Sequence, residues 1–358
     1  MKKIFKKTIS ALLFLAFFGF CACSSSSDSD PTTVLAAKTL TVDNSKIEIL
    51  GSATEASFII TTDATNWTLK SDVDWIQLSP STGNAGRTTI KIAALQNNTG
   101  SARTATITIS STDLGSVKVT VSQSSSAYPS YNTNPIAADA TGMSSTATQL
   151  AANMKIGWNI GNSLEVTGGE TTWGNPKTTK ALIDLVKANG FNAVRIPCSW
   201  NQYANAATAE IKASWLVRVK EVVQYCTDNN MYVIVNIHWD GGWLENNVNE
   251  EKKAENNSKQ KAFWEQIATS LRGFDEHLLF ASANEPNVGK DVKDNKEIQM
   301  QVLQSYHQTF INAVRSTGGK NAYRTLIVQG PNTDITNTNE WMTTLPTDTA
   351  TNRMMAEV

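Results

Sequence analysis

Six short apolar runs, separated by longer amphipathic stretches, restrict the fold of residues 154–358 more than any other feature of the chain. Most of the runs end in polar or aromatic residues, and they cover 155–162, 193–200, 232–239, 278–285, 325–332 and 354–358. Between them, apolar residues recur at helical spacing in 211–226, 262–271 and 298–314. Alternating strands and helices form parallel βαβ units. We therefore predict an α/β fold of the (β/α)8 barrel type for residues 146–358, with functional side chains at the carboxyl ends of the strands.

The preceding residues 39–124 have an all-β pattern. Apolar and polar residues alternate in short runs, which turn clusters separate: 57–61, 88–92, 104–109 and 117–121. Several short strands at this spacing predict an all-β sandwich. Residues 125–145 are rich in Ser, Thr, Ala and Pro and show no periodicity, so we predict a linker between the two domains.

This N-terminal pattern resembles the BACON domain, an immunoglobulin-like module. The resemblance rests on Trp67, Trp75, the turn at 80–86, Arg103 and the closing strand 119–123. Both carbohydrate binding and spacing of an enzyme from the membrane have been considered for this family, and we favour the spacer. Aromatic residues on strands more often fill a sandwich core than stack on sugar, so we expect both tryptophans in the core. A stacking platform is the alternative.

The first 23 residues combine a basic start with an apolar run that is too short to span a bilayer, which predicts an export signal. Ala22 before Cys23, followed by a Ser- and Asp-rich tether over 24–38, resembles the processing site of Bacteroidetes-type lipoproteins. We therefore expect Cys23 to be lipidated and the protein to be held at the outer membrane, on the cell surface. A plain signal peptide with incidental cysteines is the alternative.

Two bulk properties limit the partners of the exported chain. Its net charge is −1 with a pI near 6.3, so we expect no binding to nucleic acid. Cys198 and Cys226 lie in apolar segments, where buried free thiols are more common than a disulfide between the two. We expect a monomer.

Four motifs in the barrel region occur in an order that resembles glycoside hydrolase family 5, and within it the subfamily 4 endoglucanases and xyloglucanases. They lie at 156–176, 191–197, 235–239 and 280–286, and the last contains the Asn-Glu-Pro hallmark of the family. The resemblance implies a retaining endo-β-1,4-glucanase that hydrolyses plant β-glucans. Cellulose, xyloglucan and mixed-linkage glucan remain open as substrates, with mannan next within the family.

The resemblance also assigns roles to polar residues at the strand ends. Glu285 would be the general acid/base, and its place at the end of an apolar strand predicts desolvation and a raised pKa. Asn284 would bind the sugar 2-hydroxyl, and Arg195 would contact the nucleophile carboxylate. His238 and Asn162 would bind sugar near the cleavage point. The alternatives are an exposed loop glutamate, a structural ion pair for Arg195 and a core histidine.

Aromatic side chains stack on pyranose rings, and several tryptophans follow predicted strands. We expect sugar contacts from Trp173, Trp200, Trp239 and Trp243, and packing roles for Trp215 and Trp264. The hydrolysis needs no metal and no cofactor, and the spacing of the histidines does not suit a metal site.

The second carboxylate of a retaining enzyme is the part that the sequence does not supply. Such enzymes place a nucleophile roughly 5–5.5 Å from the acid/base, and the family carries it on the seventh strand. The segment 354–358 resembles the start of the sixth strand, and we do not assign Glu357 as the nucleophile. We therefore expect an incomplete barrel, truncated at its C-terminus, and an inactive chain. A non-catalytic glycan-binding lipoprotein is the rival hypothesis.

Overall fold

The computed structural model describes residues 38–51, 55–97, 102–289 and 294–358. The predicted signal at 1–23, with its lipidation site Cys23, lies outside the described residues, and so does the tether 24–38 except for Lys38. Within the described ranges, no helix has the length and apolarity needed to cross a membrane.

Two sheets of mainly antiparallel strands form the N-terminal domain, as predicted. Its strands are β1 Leu40–Val42, β2 Lys46–Ile49, β3 Glu55–Thr62, β4 Trp67–Ser71, β5 Ile76–Ser79, β6 Thr82–Gly83, β7 Gly86–Ala94, β8 Arg103–Ser111 and β9 Gly115–Gln123. One sheet has the order β1-β3-β7-β5 and the other β2-β9-β8-β4-β6, in which β2 and β9 are parallel. Alternate side chains of both sheets meet in one apolar core, because successive residues of a strand point to opposite faces.

Trp67 lies in this core, as expected. Only 1% of its surface is exposed, and its Nε1 donates to the Asn84 carbonyl at 3.0 Å. A side chain at Gly83 would come within 2.3 Å of the Trp67 ring, so the indole requires glycine there. Trp75 packs against the core from its edge and carries the Arg103 guanidinium 4.1 Å from its ring centre. Both tryptophans are therefore packing residues.

The segment 125–145, predicted as a linker, is held along its length by the following domain. Tyr128 donates its backbone N–H to Ser258 Oγ at 3.0 Å. The buried carboxylate of Glu265 accepts the N–H groups of Tyr131 and Asn132 and the hydroxyl of Ser130. A short strand, β10 Ile136–Ala138, adds to the attachment because it pairs in parallel with Gly318–Gly319 of the second domain. These bonds fix the segment to the second domain.

Strands and helices alternate through the second domain. Its elements are α1 Ala147–Asn153, β11 Gly157–Asn159, α2 Lys180–Ala188, β12 Ala193–Ile196, α3 Ala213–Asp228, β13 Tyr232–Asn236, α4 Glu250–Leu271, β14 Leu278–Ala281, α5 Lys296–Ser316, β15 Gly318–Gly319, β16 Leu326–Gln329, α6 Ile335–Trp341 and β17 Met354–Glu357. Short 3-10 helices occur at Asn201–Tyr203, Asp240–Gly242, Lys320–Ala322 and Pro331–Thr333. The two-residue β15 is the partner of β10.

Six strands form one parallel sheet in the order β11-β12-β13-β14-β16-β17. All six predicted apolar runs contain one of these strands, and every strand is shorter than its run. Helices α3, α4 and α5 pack on one face through a large apolar cluster, which includes Val223, Phe263 and Phe310. On the other face Leu279, Ala281 and Ile327 form a smaller cluster. Among the described residues, β11 and β17 are the two edge strands.

Because all six strands run in the same direction, their carboxyl ends meet at one face of the domain. Residues beyond the regular strands, such as those that follow Ile196, Asn236 and Ala281, therefore come together there. Cys198 and Cys226 are buried free thiols, as expected.

Candidate active site

An arginine–asparagine pair forms the centre of this face. Arg195 lies on β12, which is next to the edge strand β11, and Asn284 follows β14, two strands further along the sheet. The Arg195 Nη2 donates to Asn284 Oδ1 at 2.6 Å, and its Nη1 donates to Asn159 Oδ1 at 3.1 Å. Charge-assisted bonds of this length fix an amide more firmly than neutral ones. The orientation of the Asn284 side chain is thereby set, because its oxygen faces the cation.

His238 lies beside this pair, at the end of the run that contains β13. Burial, together with the positive charge of Arg195, lowers the pKa of His238 to about 4. Its Nδ1 is buried and has no hydrogen-bond partner in the protein. The ring is therefore neutral near pH 7 and keeps a free polar atom.

Glu285 lies in the loop directly after Asn284, and its side chain is exposed. The predicted desolvation of this carboxylate is therefore wrong for this structure. The reason is local, because the buried strand β14 already ends at Ala281 and the chain has turned outward before it reaches position 285.

A buried carboxylate that sequence reasoning missed lies underneath the Glu285 loop. Glu245 is 4% exposed, and its Oε1 accepts the backbone N–H of Trp239 at 2.9 Å. Burial raises the pKa of Glu245, while the N–H groups of Glu285 and Trp239 and the Asn284 side chain oppose that rise. Glu245 thus lies between two loops that carry predicted site residues.

Two more carboxylates of the same kind lie nearby, Glu165 in the loop between β11 and α2 and Asp240 in the same loop as Glu245. Glu165 accepts the N–H of Asn162 at 2.5 Å and that of Ser163 at 2.9 Å, which fixes the exposed Asn162 at a φ of 56°. Asp240 accepts the backbone N–H groups of Trp200 at 2.7 Å and of Asn201 at 2.5 Å. Buried acceptors satisfy loop N–H groups that no strand or helix pairs.

The predicted tryptophans divide into exposed and buried ones. Trp173 is 57% exposed and Trp239 is 44% exposed, so both offer ring surface to a ligand. Trp243, which we expected to contact sugar, is only 9% exposed and packs edge-on against Phe263, so that expectation is wrong for this structure. Trp200 is fully buried as well, and its Nε1 donates to the Asn236 carbonyl at 2.9 Å. The expected sugar contact of Trp200 is therefore also wrong for this structure.

A polar network connects the end of β17 to the end of β14. Glu357 lies 3.7 Å from Arg195 Nε as an ion pair and accepts from Gln329 Nε2 at 2.6 Å. Gln329 Oε1 accepts the Ser282 hydroxyl at 2.9 Å, and Ser282 is 2.6 Å from Nδ1 of His307. The carboxylate that contacts Arg195 in this structure is therefore that of Glu357.

Residues 158–358 match the sequence model of the cellulases, glycosyl hydrolase family 5, and residues 65–124 match the BACON model, described as an N-terminal binding domain. The cellulase match covers more than half of the chain. The chain belongs to glycosyl hydrolase family 5. The family resemblance of the four motifs is thereby confirmed, and so is that of the sandwich to BACON.

Relatives in this family include a xyloglucan-specific endo-β-1,4-glucanase from Bacteroides ovatus, which is 38% identical over 307 residues, 81% of this chain and 60% of the relative. Endoglucanase B from Clostridium cellulovorans is 41% identical over 187 residues, 51% of this chain and 42% of the relative. The chain thus spans about two fifths to three fifths of the length of these two relatives.

Solved family 5 structures have the same fold. A Bacteroides ovatus xyloglucanase in complex with a XXXG heptasaccharide aligns with a TM-score of 0.60 at 35% identity and covers 89% of this chain and 71% of its own. A broad-specificity endoglucanase from Ruminococcus champanellensis with bound cellotriose has a TM-score of 0.56 at 41% identity, over 59% of this chain and 65% of its own. The first alignment extends over both domains of this chain.

A local sequence pattern marks the three buried loop carboxylates that the sequence analysis did not identify. Glu165, Asp240 and Glu245 each stand next to apolar residues a few positions after a strand of the family 5 domain. An acidic residue within such a segment must be buried with partners, because burying an unpaired charge is costly. What the sequence does not show is which N–H groups those partners are.

One groove of the described residues lies away from this face. A space of about 500 Å³ separates the sandwich from helices α4 and α5, and its lining includes Gln96, Lys261 and Gln308. None of the predicted family 5 site residues lines it. We assign the active face from the strand ends and not from this groove.

Proposed function

We propose that the protein is a retaining endo-β-1,4-glucanase that hydrolyses plant β-glucans. The observation that carries this proposal is the Arg195–Asn284 bond of 2.6 Å at the strand ends, directly before Glu285. In a family 5 chain, this arrangement presents an oriented amide beside an exposed carboxyl group. The Asn284 side chain is thereby held at the strand ends, and the exposed Glu285 carboxyl group is free to reach the glycosidic oxygen.

In the proposed mechanism, Glu285 protonates the leaving glycosidic oxygen and then removes a proton from the attacking water. Retention also needs a second carboxylate about 5–5.5 Å away to form the covalent glycosyl intermediate. The family resemblance assigns that nucleophile to a seventh strand, which is not among the described residues. We therefore propose that hydrolysis requires that strand in addition to residues 38–358.

The proposed substrate is a β-1,4-glucan backbone, with xyloglucan as the first choice. Two relatives support it, since one is named for xyloglucan and the other is a broad-specificity endoglucanase with bound cellotriose. In this chain, Trp173 and Trp239 expose ring faces that can stack on glucose units.

Every kinetic test uses a protein that includes the seventh strand, and the first one compares that protein with its Glu285→Gln variant on xyloglucan and on unbranched β-glucan. General acid/base catalysis contributes about 10²–10⁴-fold, so we expect the variant to lose at least 100-fold in release of reducing ends. Affinity for a glucan oligosaccharide, measured by calorimetry, should stay within about twofold because Glu285 supports no part of the fold. Equal rates for the two proteins would refute the assignment of Glu285.

A non-catalytic glycan-binding protein is the second candidate. It is favoured by the two exposed tryptophans, which suit binding whether or not a nucleophile is present. The same experiment separates the two: oligosaccharide binding without release of reducing ends by either protein would support the binder. Absence of both binding and hydrolysis would refute both functions.

We also propose that the protein is exported and anchored through a lipid on Cys23, and that it acts at the outer membrane, on the cell surface, as a monomer. The sequence around Ala22 and Cys23 supports the anchor. Radiolabelled palmitate should enter the wild-type protein in membranes but not a Cys23→Ser variant. Equal labelling of the two would refute this site.

A further inference from the structure

Glu245 is a buried carboxyl residue in a loop, outside every helix and strand of the domain. It lies in the loop between β13 and α4, and only 4% of its surface is exposed. Isolated carboxylates are almost never buried to this extent without hydrogen-bonded partners. The identity of its partners therefore indicates what the residue does.

Those partners belong to two different loops of the active face. Trp239, at the end of the run that contains β13, donates its N–H to the carboxylate at 2.9 Å. From the next strand, the N–H of Glu285 and the side chain of Asn284 both favour the ionised carboxylate. The Glu245 carbonyl, in addition, accepts the N–H of Asn287 at 2.9 Å. One residue thus connects Trp239 with the segment 284–287.

Asn284 is held from both sides by this arrangement. Its Oδ1 accepts from Arg195, so the part of the amide that can favour an anion is the Nδ2 donor. Arg195 and Glu245 together therefore fix which way the amide faces. With only one of the two, the amide could rotate and exchange its oxygen and nitrogen.

Trp239 shows that this restraint acts against a conformational cost. Its φ is 33°, and the φ of Asp240 after it is 55°. Positive φ is sterically unfavourable for bulky residues and persists only where surrounding contacts hold them. The bond from the Trp239 N–H to Glu245 is such a contact, and it leaves the Trp239 indole exposed on the face where sugar would bind.

We propose that Glu245 is the positioning residue of the active face, which orients Asn284, Glu285 and Trp239 from beneath without contacting the substrate. The proposal rests on the proposed function, because positioning has a kinetic consequence only if Glu285 is the acid/base. It adds a specific residue to the site, outside the strand-end motifs.

The chain offers a matched control for the test. Glu265 on α4 is also a buried carboxylate that accepts two backbone N–H groups and a hydroxyl, but its partners are in the segment 130–132. Glu265→Gln and Glu245→Gln therefore both replace a buried carboxylate that accepts backbone N–H groups, although Glu265 also forms an ion pair with Lys261 at 2.7 Å. Only the second lies beneath the active face.

The first measurement is hydrogen–deuterium exchange, which needs no enzymatic activity. We expect Glu245→Gln to speed exchange at least tenfold in peptides that cover 237–241 and 282–287. Glu265→Gln should speed exchange at 130–132 and leave those two peptides unchanged. If Glu245→Gln does not yield folded protein, Glu245→Asp, which keeps the charge but shortens the side chain, replaces it. Wild-type protection of both peptides in the variant would overturn the proposal.

The second measurement is steady-state kinetics on xyloglucan with the same variants. Misplacement of catalytic groups by about 1 Å can cost about 100-fold, so we expect kcat of Glu245→Gln to fall 10- to 100-fold with KM changed less than fivefold. Glu265→Gln should keep the wild-type kcat. Faster local exchange with an unchanged kcat would overturn the positioning role. A wild-type protein without hydrolysis would contradict the proposed function, and the exchange data alone would then decide the role of Glu245.

Discussion

The sandwich and the active face of the barrel differ in which residues adopt positive φ and in what holds them there. In the described sandwich, only glycines adopt positive φ, at Gly86 and Gly115. At the strand ends of the barrel, Asn162, Trp239 and Asn332 adopt it. Glycine takes this conformation without steric cost, whereas a larger side chain needs contacts that hold it there.

Those contacts are mostly buried polar groups. Glu165, Asp240 and Glu245 accept loop N–H groups beneath the active face, while the sandwich core is filled almost entirely by apolar side chains. Hydrogen-bond ladders satisfy the backbone of the sandwich, so its interior needs only volume and apolarity. The barrel face therefore contains backbone conformations that are unfavourable in themselves, and buried hydrogen bonds hold them so that the side chains have defined positions.

The largest effect is expected from Trp67→Ala in the sandwich. Phe or Trp to Ala in a core costs about 3–5 kcal/mol, and this change also leaves the Asn84 carbonyl without its donor. The free energy of unfolding of the sandwich, followed by chemical denaturation, should fall by that amount. The kcat on xyloglucan at 25 °C should not change.

A fall in kcat for Trp67→Ala would contradict the expected independence of the two regions, because it would show that the sandwich supports the active face. Trp67→Phe serves as the control. It keeps most of the ring volume, so it should lose less stability than the alanine variant.

The same two regions show how much of the fold and of the site could be predicted from the sequence. Period-2 alternation located the sandwich strands, such as 104–109 within β8, because one face of each strand is buried. The parallel strands were found as apolar runs, and the motif at 280–286 identified Asn284 and Glu285. Both depend on short-range patterns.

The remaining details depend on long-range geometry. Trp239 and Trp243 stand four positions apart after the same strand, yet one is exposed and the other buried. The difference arises from the positive φ at Trp239, which the Glu245 carboxylate stabilises from six residues away. No local pattern encodes that turn. The burial of Glu285 was predicted wrongly for a different reason. The apolar run continues to position 285, but strand β14 ends at Ala281, four residues before Glu285.

A second and smaller effect concerns acid. Burial lowers the pKa of His307 to about 4, whereas the ordinary value is 6.5. Between pH 6.5 and 4 the unfolded chain therefore binds a proton that the folded chain does not, so stability must fall as pH falls through this window. The full loss is about 3 kcal/mol for this group. His238, with a pKa of about 4, adds a loss of the same sign.

All three histidines lie in the barrel, at positions 238, 277 and 307. Acid should therefore weaken the barrel more than the sandwich, and His307→Asn should reduce the dependence of unfolding free energy on pH between 6.5 and 4. His277→Asn is the control, because His277 lies on the surface side of β14 and is paired with Asp275. An unchanged slope in His307→Asn would show that folding does not lower the pKa of this histidine.

The smallest effect compares two threonines that make the same bond. In the barrel, Thr333 Oγ1 donates to the Asn284 carbonyl at 2.7 Å, and Thr333 has a φ of 45°. In the sandwich, Thr62 Oγ1 donates to the Thr39 carbonyl at 2.8 Å. Valine keeps the shape and removes the hydroxyl, at a cost of about 0.5–1.5 kcal/mol per bond lost.

Both Thr333→Val and Thr62→Val should therefore lose stability, measured by thermal unfolding, and Thr62→Val should lose more because the Thr62 hydroxyl also accepts the Ala64 N–H at 3.0 Å. They should differ in catalysis. Because Thr333 restrains the backbone of Asn284, its valine variant should also lose about 2- to 10-fold in kcat, if the lost bond energy of 0.5–1.5 kcal/mol appears in the barrier. Thr333→Ser, which keeps the hydroxyl, should restore the rate, and Thr62→Val should leave it unchanged. Equal kcat in both valine variants would mean that the active face tolerates loss of a restraint as easily as the sandwich does, and the difference between the two regions would then lie in stability alone.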